Sequence, residues 1–325
     1  MIIIRSPLRI SLGGGGTDLP SFYEKYGGYF ISASINKYVY VAITRPFKKG
    51  IYLKYSKIEK CNNINHIRHK IIREALRIKK ISSNQIEITT LTDIPAGTGL
   101  GSSGSFTTCL IKALYEYKCK FINARDLAEI ACDIEINKLD QPSGKQDQYI
   151  SVFGGIREFV INKEGYVNVR KLNISKNTIY NLHNNLLLFF TGFTRNSSLL
   201  LKDQKIRSLN KDNEILDNLK LIKNLAKETN VALLKNNLND FGRIMNEHWN
   251  IKMKRSIKMS NQKINFIYNY AIRNGAIGGK LIGAGGGGFL LFYSDKPEYL
   301  RRAMERKKIQ EIRFNFDYEG VKRVL

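Results

Sequence analysis

The chain is poor in the residues that would define several classes of protein. It has four cysteines, Cys61, Cys109, Cys119 and Cys132, in 325 residues. None forms a C-x-x-C pair and none sits near a histidine at zinc-ligand spacing, so we read them as free and structural. The four histidines (His66, His69, His183, His248) are scattered, and His66 with His69 reads as one solvated helix face. No apolar run approaches the roughly 18–20 residues that span a bilayer, and residues 186–190 suit only a buried strand. The first residues, MIIIRSPLRIS, carry too short an apolar run and no cleavage pattern for a signal peptide. A cytoplasmic protein without a membrane partner is expected. Prolines number six, and no Pro/Ser-rich linker divides the chain.

Acidic residues are also scarce: 28 stand against 53 Lys and Arg, for a net charge of +25. Such a charge suits nucleic acid. Here the positive residues are dispersed, and neither an RNP-type aromatic motif nor a zinc finger accompanies them, so no nucleic-acid partner is expected. The joint preference for Lys, Ile and Asn reads as codon bias. Small, highly phosphorylated ligands would suit the same charge.

Periodicity predicts strands at 2–12, 38–44, 86–91, 151–161, 186–191 and 289–293. Helices are predicted at 64–78, from Ser105 for about four turns, at 124–137 with Asn123 as N-cap, and at 264–272. Further helical spacing joins Ile215, Leu219, Ile222 and Ala226, and again Leu238, Phe241 and Met245. A boundary between 160 and 185, placed at 170/171, gives an N-terminal half of 1–170 and a C-terminal half of 171–325.

The most informative stretch is IPAGTGLGSSGS at 94–105. It follows an alternating strand and opens a helix, so it presents bare N–H groups and the positive end of a helix dipole to an anion. That arrangement cradles phosphate. It contains G-x-G-x-x-G, but a dinucleotide fold needs a second strand after the helix, and here another helix follows. A Walker A loop needs Gly-Lys-Ser/Thr, which is missing, and no H-R-D or D-F-G follows for a protein kinase.

The run Pro95-Ala-Gly-Thr-Gly-Leu-Gly-Ser-Ser-Gly-Ser105 resembles the phosphate loop of the GHMP kinases. Three more motifs of that superfamily appear in order: Ser6 to Pro20 (SPLRISLGGGGTDLP), Gly144-Lys-Gln-Asp-Gln148, and Lys280 to Phe289 (KLIGAGGGGF). Within the superfamily, GGGGTDLP, QPSGKQDQY and TGFTR look like the heptose 7-phosphate kinases, whereas galactokinases start with Gly-Glu-His-Thr-Asp. The resemblance implies an α+β fold of two domains with ATP and substrate meeting in the cleft between them. It implies ATP-dependent, magnesium-assisted phosphorylation of the anomeric hydroxyl of D-glycero-D-manno-heptose 7-phosphate. The 1,7-bisphosphate formed would feed GDP-heptose and surface-polysaccharide synthesis. A related kinase acting on L-fucose or an unphosphorylated heptose is the alternative, and a non-catalytic sugar sensor is a further one. A homodimer stays open.

Residue by residue, the resemblance implies that Pro95, Gly97, Gly99, Leu100, Gly101, Ser102, Ser103, Gly104 and Ser105 hold the nucleotide phosphates. Ser103 and Glu135 would hold magnesium, with Asp133 in reserve, because that ion takes hard oxygen ligands. Asp147 is the expected base, and Arg9 would stabilise charge on the transferring group. Gly14, Gly15, Gly16, Thr17 and Asp18 are expected at the sugar. Lys145, Arg195 and Lys280 are candidates for its phosphate, and Gly286 and Gly287 for a turn beside the loop or the substrate. His248 and Trp249 read as core and rim.

Overall fold

The computed structural model describes residues 1–79, 85–194, 198–210 and 212–325. Its strands are β1 (Ile2–Gly13), β2 (Gly28–Thr44), β3 (Gly50–Lys54), β4 (Ile58–Cys61), β5 (Gln85–Thr92), β6 (Ile156–Ile161), β7 (Val167–Lys171), β8 (Leu186–Phe190), β9 (Gly278–Leu281), β10 (Phe289–Tyr293) and β11 (Lys322–Arg323). The helices are α1 (Pro20–Tyr26), α2 (Lys70–Ile78), α3 (Ser102–Tyr117), α4 (Ala124–Cys132), α5 (Gln146–Phe153), α6 (Lys176–Asn185), α7 (Ser198–Leu209), α8 (Asn213–Leu234), α9 (Leu238–Met253), α10 (Gln262–Arg273) and α11 (Pro297–Arg306).

Two sheets carry the fold. The larger runs β11-β1-β2-β5-β3-β4, with β6 also paired to β2 and β7 to β6. The smaller is β8-β10-β9, all antiparallel. Helices α3, α5 and α8 pack against β1 and β2, while α9 packs on β9. Trp249, Ile264, Tyr268, Leu300 and Met304, drawn from α9, α10 and α11, fill the core over the smaller sheet. Residues 310–317 then cross from one sheet to the other. Phe190 N donates to Gln310 O at 2.9 Å, and Asp317 N donates to Ser34 O at 2.9 Å. The chain end thus ties the C-terminal sheet to the N-terminal one, and α+β is the architecture.

Buried hydroxyls fix α3 and α5 on β1. Ser6 Oγ, Thr108 Oγ1 and Ser151 Oγ form a row with 3.0 Å steps, and Ser105 Oγ donates to Pro7 O at 2.7 Å. In a dry interior such bonds are worth more than at a surface, and leaving one unmade is costly. They hold α3 and α5 against Ser6 and Pro7, where a register shift between Pro7 and Leu8 bends β1.

Several elements differ from expectation. The strand expected at 151–161 is helix as far as Phe153, ended by Gly154 at φ +62°, and only Ile156–Ile161 is strand. Tertiary packing of Tyr149 and Ile150 in the core overrides the alternating apolar pattern. The helix expected at 124–137 stops at Cys132 and continues as a π turn, Asp133–Lys138. The strand expected at 38–44 begins ten residues earlier. The helix expected at 64–78 is a short 3₁₀ turn, Ile64–His66, and then α2, whose N-cap is His69 rather than a solvated face.

The two glycine turns interlock. A Cβ on Gly283 (φ +79°) would lie 2.5 Å from Gly99 Cα, and one on Gly288 (φ +96°) would lie 2.0 Å from Thr98 O. Only glycine allows that approach. We expect Gly288→Ala to cost roughly 2–4 kcal/mol in urea unfolding, from positive-φ strain plus overpacking against backbone. Gly155→Ala shares a positive φ but meets only the Tyr318 ring at 3.3 Å, so about 1 kcal/mol is expected. Equal losses would refute the interlock.

Candidate active site

A cavity of about 880 Å³ opens between the two sheets. Its walls come from β1, the 15–19 turn, β5, the glycine turn, the start of α5, and the 248–255 and 280–284 segments. Arg9 and Ser11 reach it from alternate positions of β1, while Leu8, Ile10 and Leu12 are buried in the core.

The glycine turn forms one wall. Gly97, Gly99 and Gly101 all have positive φ, near +80°. Gly101 is the N-cap of α3 and supplies no side chain, so the helix's first N–H groups have no side-chain cap. Pro95, Gly97, Gly99, Gly101, Ser102 and Ser103 line the cavity. Ser102 Oγ is buried without a hydrogen-bond partner. An orphaned hydroxyl beside uncapped helix N–H groups fits an oxyanion of a nucleotide tail. The others act from behind: Leu100 is buried and its carbonyl accepts from Arg9 N at 3.0 Å, and Ser105 Oγ is spent on Pro7. A Cβ on Gly104 would lie 2.6 Å from Asp147 Cβ, so this glycine lets α3 and α5 touch.

Arg9 and Asp147 form the centre. Arg9 Nε donates to Asp147 Oδ1 at 2.8 Å, and Nη2 lies 2.7 Å from the same oxygen. Arg9 Nη1 reaches the carbonyl of Gly99. Both contacts fall on Oδ1, so Oδ2 has no protein donor among the described residues. A carboxylate held at one oxygen and free at the other can accept a proton from a ligand hydroxyl.

Beside them Ser103 Oγ donates to Glu135 Oε2 at 2.6 Å, and Gln148 Nε2 donates to Oε1 at 3.0 Å. Glu135 lies in the π turn and is 1% exposed. Burial pushes its carboxyl above the usual range, the hydrogen bonds oppose this, and the charge of Asp147 adds to it. An oxygen-only pair next to a phosphate cradle fits magnesium, which keeps water and phosphate oxygens for the rest of its shell. Among the described residues no cluster of three or more His, Cys, Asp or Glu could hold a metal alone. Asp133 lines none of the cavity and instead accepts from Asn137 Nδ2 at 2.9 Å.

Of the expected sugar contacts, Gly15, Gly16 and Asp18 line the cavity. Asp18 Oδ1 accepts from Gly16 N at 3.0 Å and Oδ2 from Gln146 N at 3.1 Å. Burial, helped by Asp147, raises its carboxyl above the usual range. Thr17 is not brought to the cleft: its hydroxyl donates to Gly14 O and Tyr29 O, each at 2.8 Å, and is fully buried. Gly14 is packed on Tyr29 O and lines nothing. Lys145 also turns away, because Glu129 holds its Nζ at 2.9 Å and Gly165 O at 2.7 Å. Gly286 and Gly287 pack against Met259 and Phe193; Gly283 and Ala284 face the cavity in their place. Arg195 lies outside the described residues.

Lys280 does line the cavity, and so do His248, which was expected in core or rim, and Lys252 and Arg255, which motif reading passed over. The i, i+4 spacing of His248 and Lys252 on α9 was their one signal. All four are nearly or fully buried. Burial drives Lys252 and His248 well below their usual values, aided by their cationic neighbours, and brings Lys280 down to about 7 and Arg255 to about 10. Tyr55, His69, Ile71 and Thr90 form a half-apolar end beyond the glycine turn, with Thr90 Oγ1 buried and unpartnered.

Comparison with known proteins decides the family. The GHMP kinases N terminal domain model matches residues 65–155, and the GHMP kinases C terminal model matches 229–310. A Campylobacter jejuni D-glycero-alpha-D-manno-heptose 7-phosphate kinase is 31% identical, over 98% of this chain and 97% of its own length. The chain belongs to the GHMP kinases. It is an ATP-dependent sugar kinase. A crystal structure described as a D-glycero-D-manno-heptose 1-phosphate kinase from Bacteroides thetaiotaomicron superposes with a TM-score of 0.83 at 25% identity, covering 100% of this chain and 99% of that one. An Arabidopsis thaliana bifunctional fucokinase/GDP-fucose pyrophosphorylase is 25% identical over 93% of this chain and 31% of its own length.

Lys280 supplies a pH test. Its folded value of about 7 lies below the ordinary 10.5, so the burial penalty is complete below pH 7 and fades as pH rises toward 10.5. The stability of Lys280→Met relative to the unaltered kinase should therefore fall between pH 6 and pH 9, by on the order of 1–2 kcal/mol in urea melts. A pH-independent difference would mean that Lys280 titrates normally.

Proposed function

We propose that this kinase transfers the γ-phosphate of ATP to the anomeric hydroxyl of D-glycero-D-manno-heptose 7-phosphate. The observation that carries the reading is the Arg9–Asp147 pair set between an uncapped helix N-terminus and the Ser103–Glu135 pair. In this reading the glycine turn and Ser102 grip the phosphate tail, while the half-apolar end at Tyr55 and Thr90 takes the base. Magnesium, held by Ser103 and Glu135, would offset the negative charge of the tail.

The residues then divide the work. Asp18 accepts hydrogen bonds from sugar hydroxyls and orients the ring. Asp147 Oδ2 accepts the proton of the attacking hydroxyl as the new O–P bond forms and the bond to the ADP oxygen breaks. Arg9 holds Asp147 in position through Oδ1 and faces the transferring group with its positive charge. The product would be the 1,7-bisphosphate, a precursor for GDP-heptose and surface polysaccharide. Residues 1–170 would bring the nucleotide and residues 171–325 much of the sugar side.

Two observations favour a phosphorylated sugar over L-fucose. The relative with the higher identity is named for heptose 7-phosphate, and the cleft wall holds several buried cations that an uncharged sugar would leave uncompensated.

Asp147→Asn should lower kcat about 100-fold or more while calorimetry shows ADP binding retained. Near-normal turnover would remove Asp147 as the base. In coupled ADP-release assays, kcat/KM for heptose 7-phosphate should exceed that for the dephosphorylated heptose and for L-fucose by about 100-fold or more. Comparable values for L-fucose would favour the second reading.

A further inference from the structure

Three cations of the cleft have no anion. Arg255, Lys252 and Lys280 are 5%, 7% and 2% exposed, and no carboxylate among the described residues lies within 4.0 Å of any of them. Lys280 Nζ donates to Leu12 O at 2.7 Å, and Lys252 Nζ to Leu281 O at 3.1 Å and to Gly283 O. Carbonyls satisfy hydrogen bonds but not charge, and buried charge without a counter-charge is costly.

Arg255 is held in a particular way. Its Nε is fixed by Asn218 Oδ1 at 2.7 Å, while Nη1 and Nη2 have only distant acceptors, Gln204 Oε1 at 3.4 Å and Gly15 O at 3.5 Å. The guanidinium is anchored at its base and loosely engaged at its fork. A fork free to make two parallel bonds is what bidentate recognition of phosphate needs. It sits against the Gly15–Gly16 turn, since a Cβ on Gly16 would lie 2.9 Å from Nη1. Glycine there keeps the fork uncovered.

Position separates this cation from the nucleotide. The tail-binding turn meets Arg9 and Asp147 directly. Asp18 lies next along the wall, near enough for its titration to feel Asp147 and for Arg255 to feel Asp18. A sugar that presents its hydroxyl to Asp147 and lies over Asp18 therefore extends to Arg255. The like charges of Lys252 and Lys280 crowd together beside it, and a dianion relieves that crowding more than a monoanion does.

We propose that Arg255, with Lys252 beside it, binds the phosphomonoester that the sugar already carries and so selects phosphosugars over neutral sugars. This inference rests on the phosphosugar-kinase reading above. It moves the role expected of Lys145 to a residue just past the end of α9.

Steady-state kinetics and calorimetry on the full chain test it. Arg255→Met should raise KM for heptose 7-phosphate about 10–100-fold, with the affinity for ADP and magnesium changed less than about twofold. Arg255→Lys should recover part of the loss, as a point charge without the fork. Where Arg255→Met fails to fold, Lys252→Met is read the same way. An unchanged KM overturns the proposal, and so does an equal loss of ADP affinity, which would give these cations to the nucleotide. Failure of the substrate reading looks different. There the unaltered kinase would not turn over heptose 7-phosphate, and other sugar phosphates would be screened by thermal stabilisation. Stabilisation that depends on Arg255 would uphold the site, and stabilisation independent of it would sink it.

Discussion

One ion pair organises the molecule. Arg9 leaves β1 just after its bend and closes on Asp147 at the start of α5, while its third nitrogen meets the carbonyl of Gly99. Three chain segments far apart in sequence are brought to one point by a single guanidinium. Much of the surrounding construction serves that meeting. The Ser6–Thr108–Ser151 row fixes the helices on the strand, Gly104 allows α3 and α5 to touch, and the 283–288 turn backs the phosphate turn from the other half. A partly buried pair with such support is a positioning device more than a source of stability.

Around that point the cleft is electrostatically uneven. Asp18, Glu135 and Asp147 crowd one region and the cations of α9 and β9 another. Burial works against charge in both, raising the carboxyls of Asp18 and Glu135 and lowering Lys252 and Lys280. A site so arranged is strained by its own charges when empty. Ligands that bring a cation to the first region and anions to the second relieve the strain, and relief on binding is a route to selectivity. The dispersed net charge of +25 adds attraction for phosphorylated ligands without needing a patch.

The glycine turn, the Arg9 strand and the Gly-Lys-Gln-Asp-Gln segment were legible because their chemistry is local. A backbone that bends at positive φ needs glycine, and an anion cradle at a helix opening adds hydroxyl groups, so those residues sit next to one another in the chain. Thr17 and Lys145 misled for the same reason. Each stands inside a motif, but a motif does not say which way a side chain turns. Thr17 turned inward to satisfy Gly14 and Tyr29, and Lys145 was taken by Glu129. The π turn that sets Glu135 behind Ser103 was hidden too, because its sequence has ordinary helical periodicity.

The order of residues alone determined the family, the glycine turn and the choice of Arg9 and Asp147 as candidates, since each depends on neighbours in the chain or on motifs in fixed order. Only the folded chain decided which basic residues line the cleft. Arg255 and Lys252 belong to no glycine motif. They reach the cleft because α9 packs on β9 and the chain end binds one sheet to the other, and charge burial of that kind arises from long-range packing.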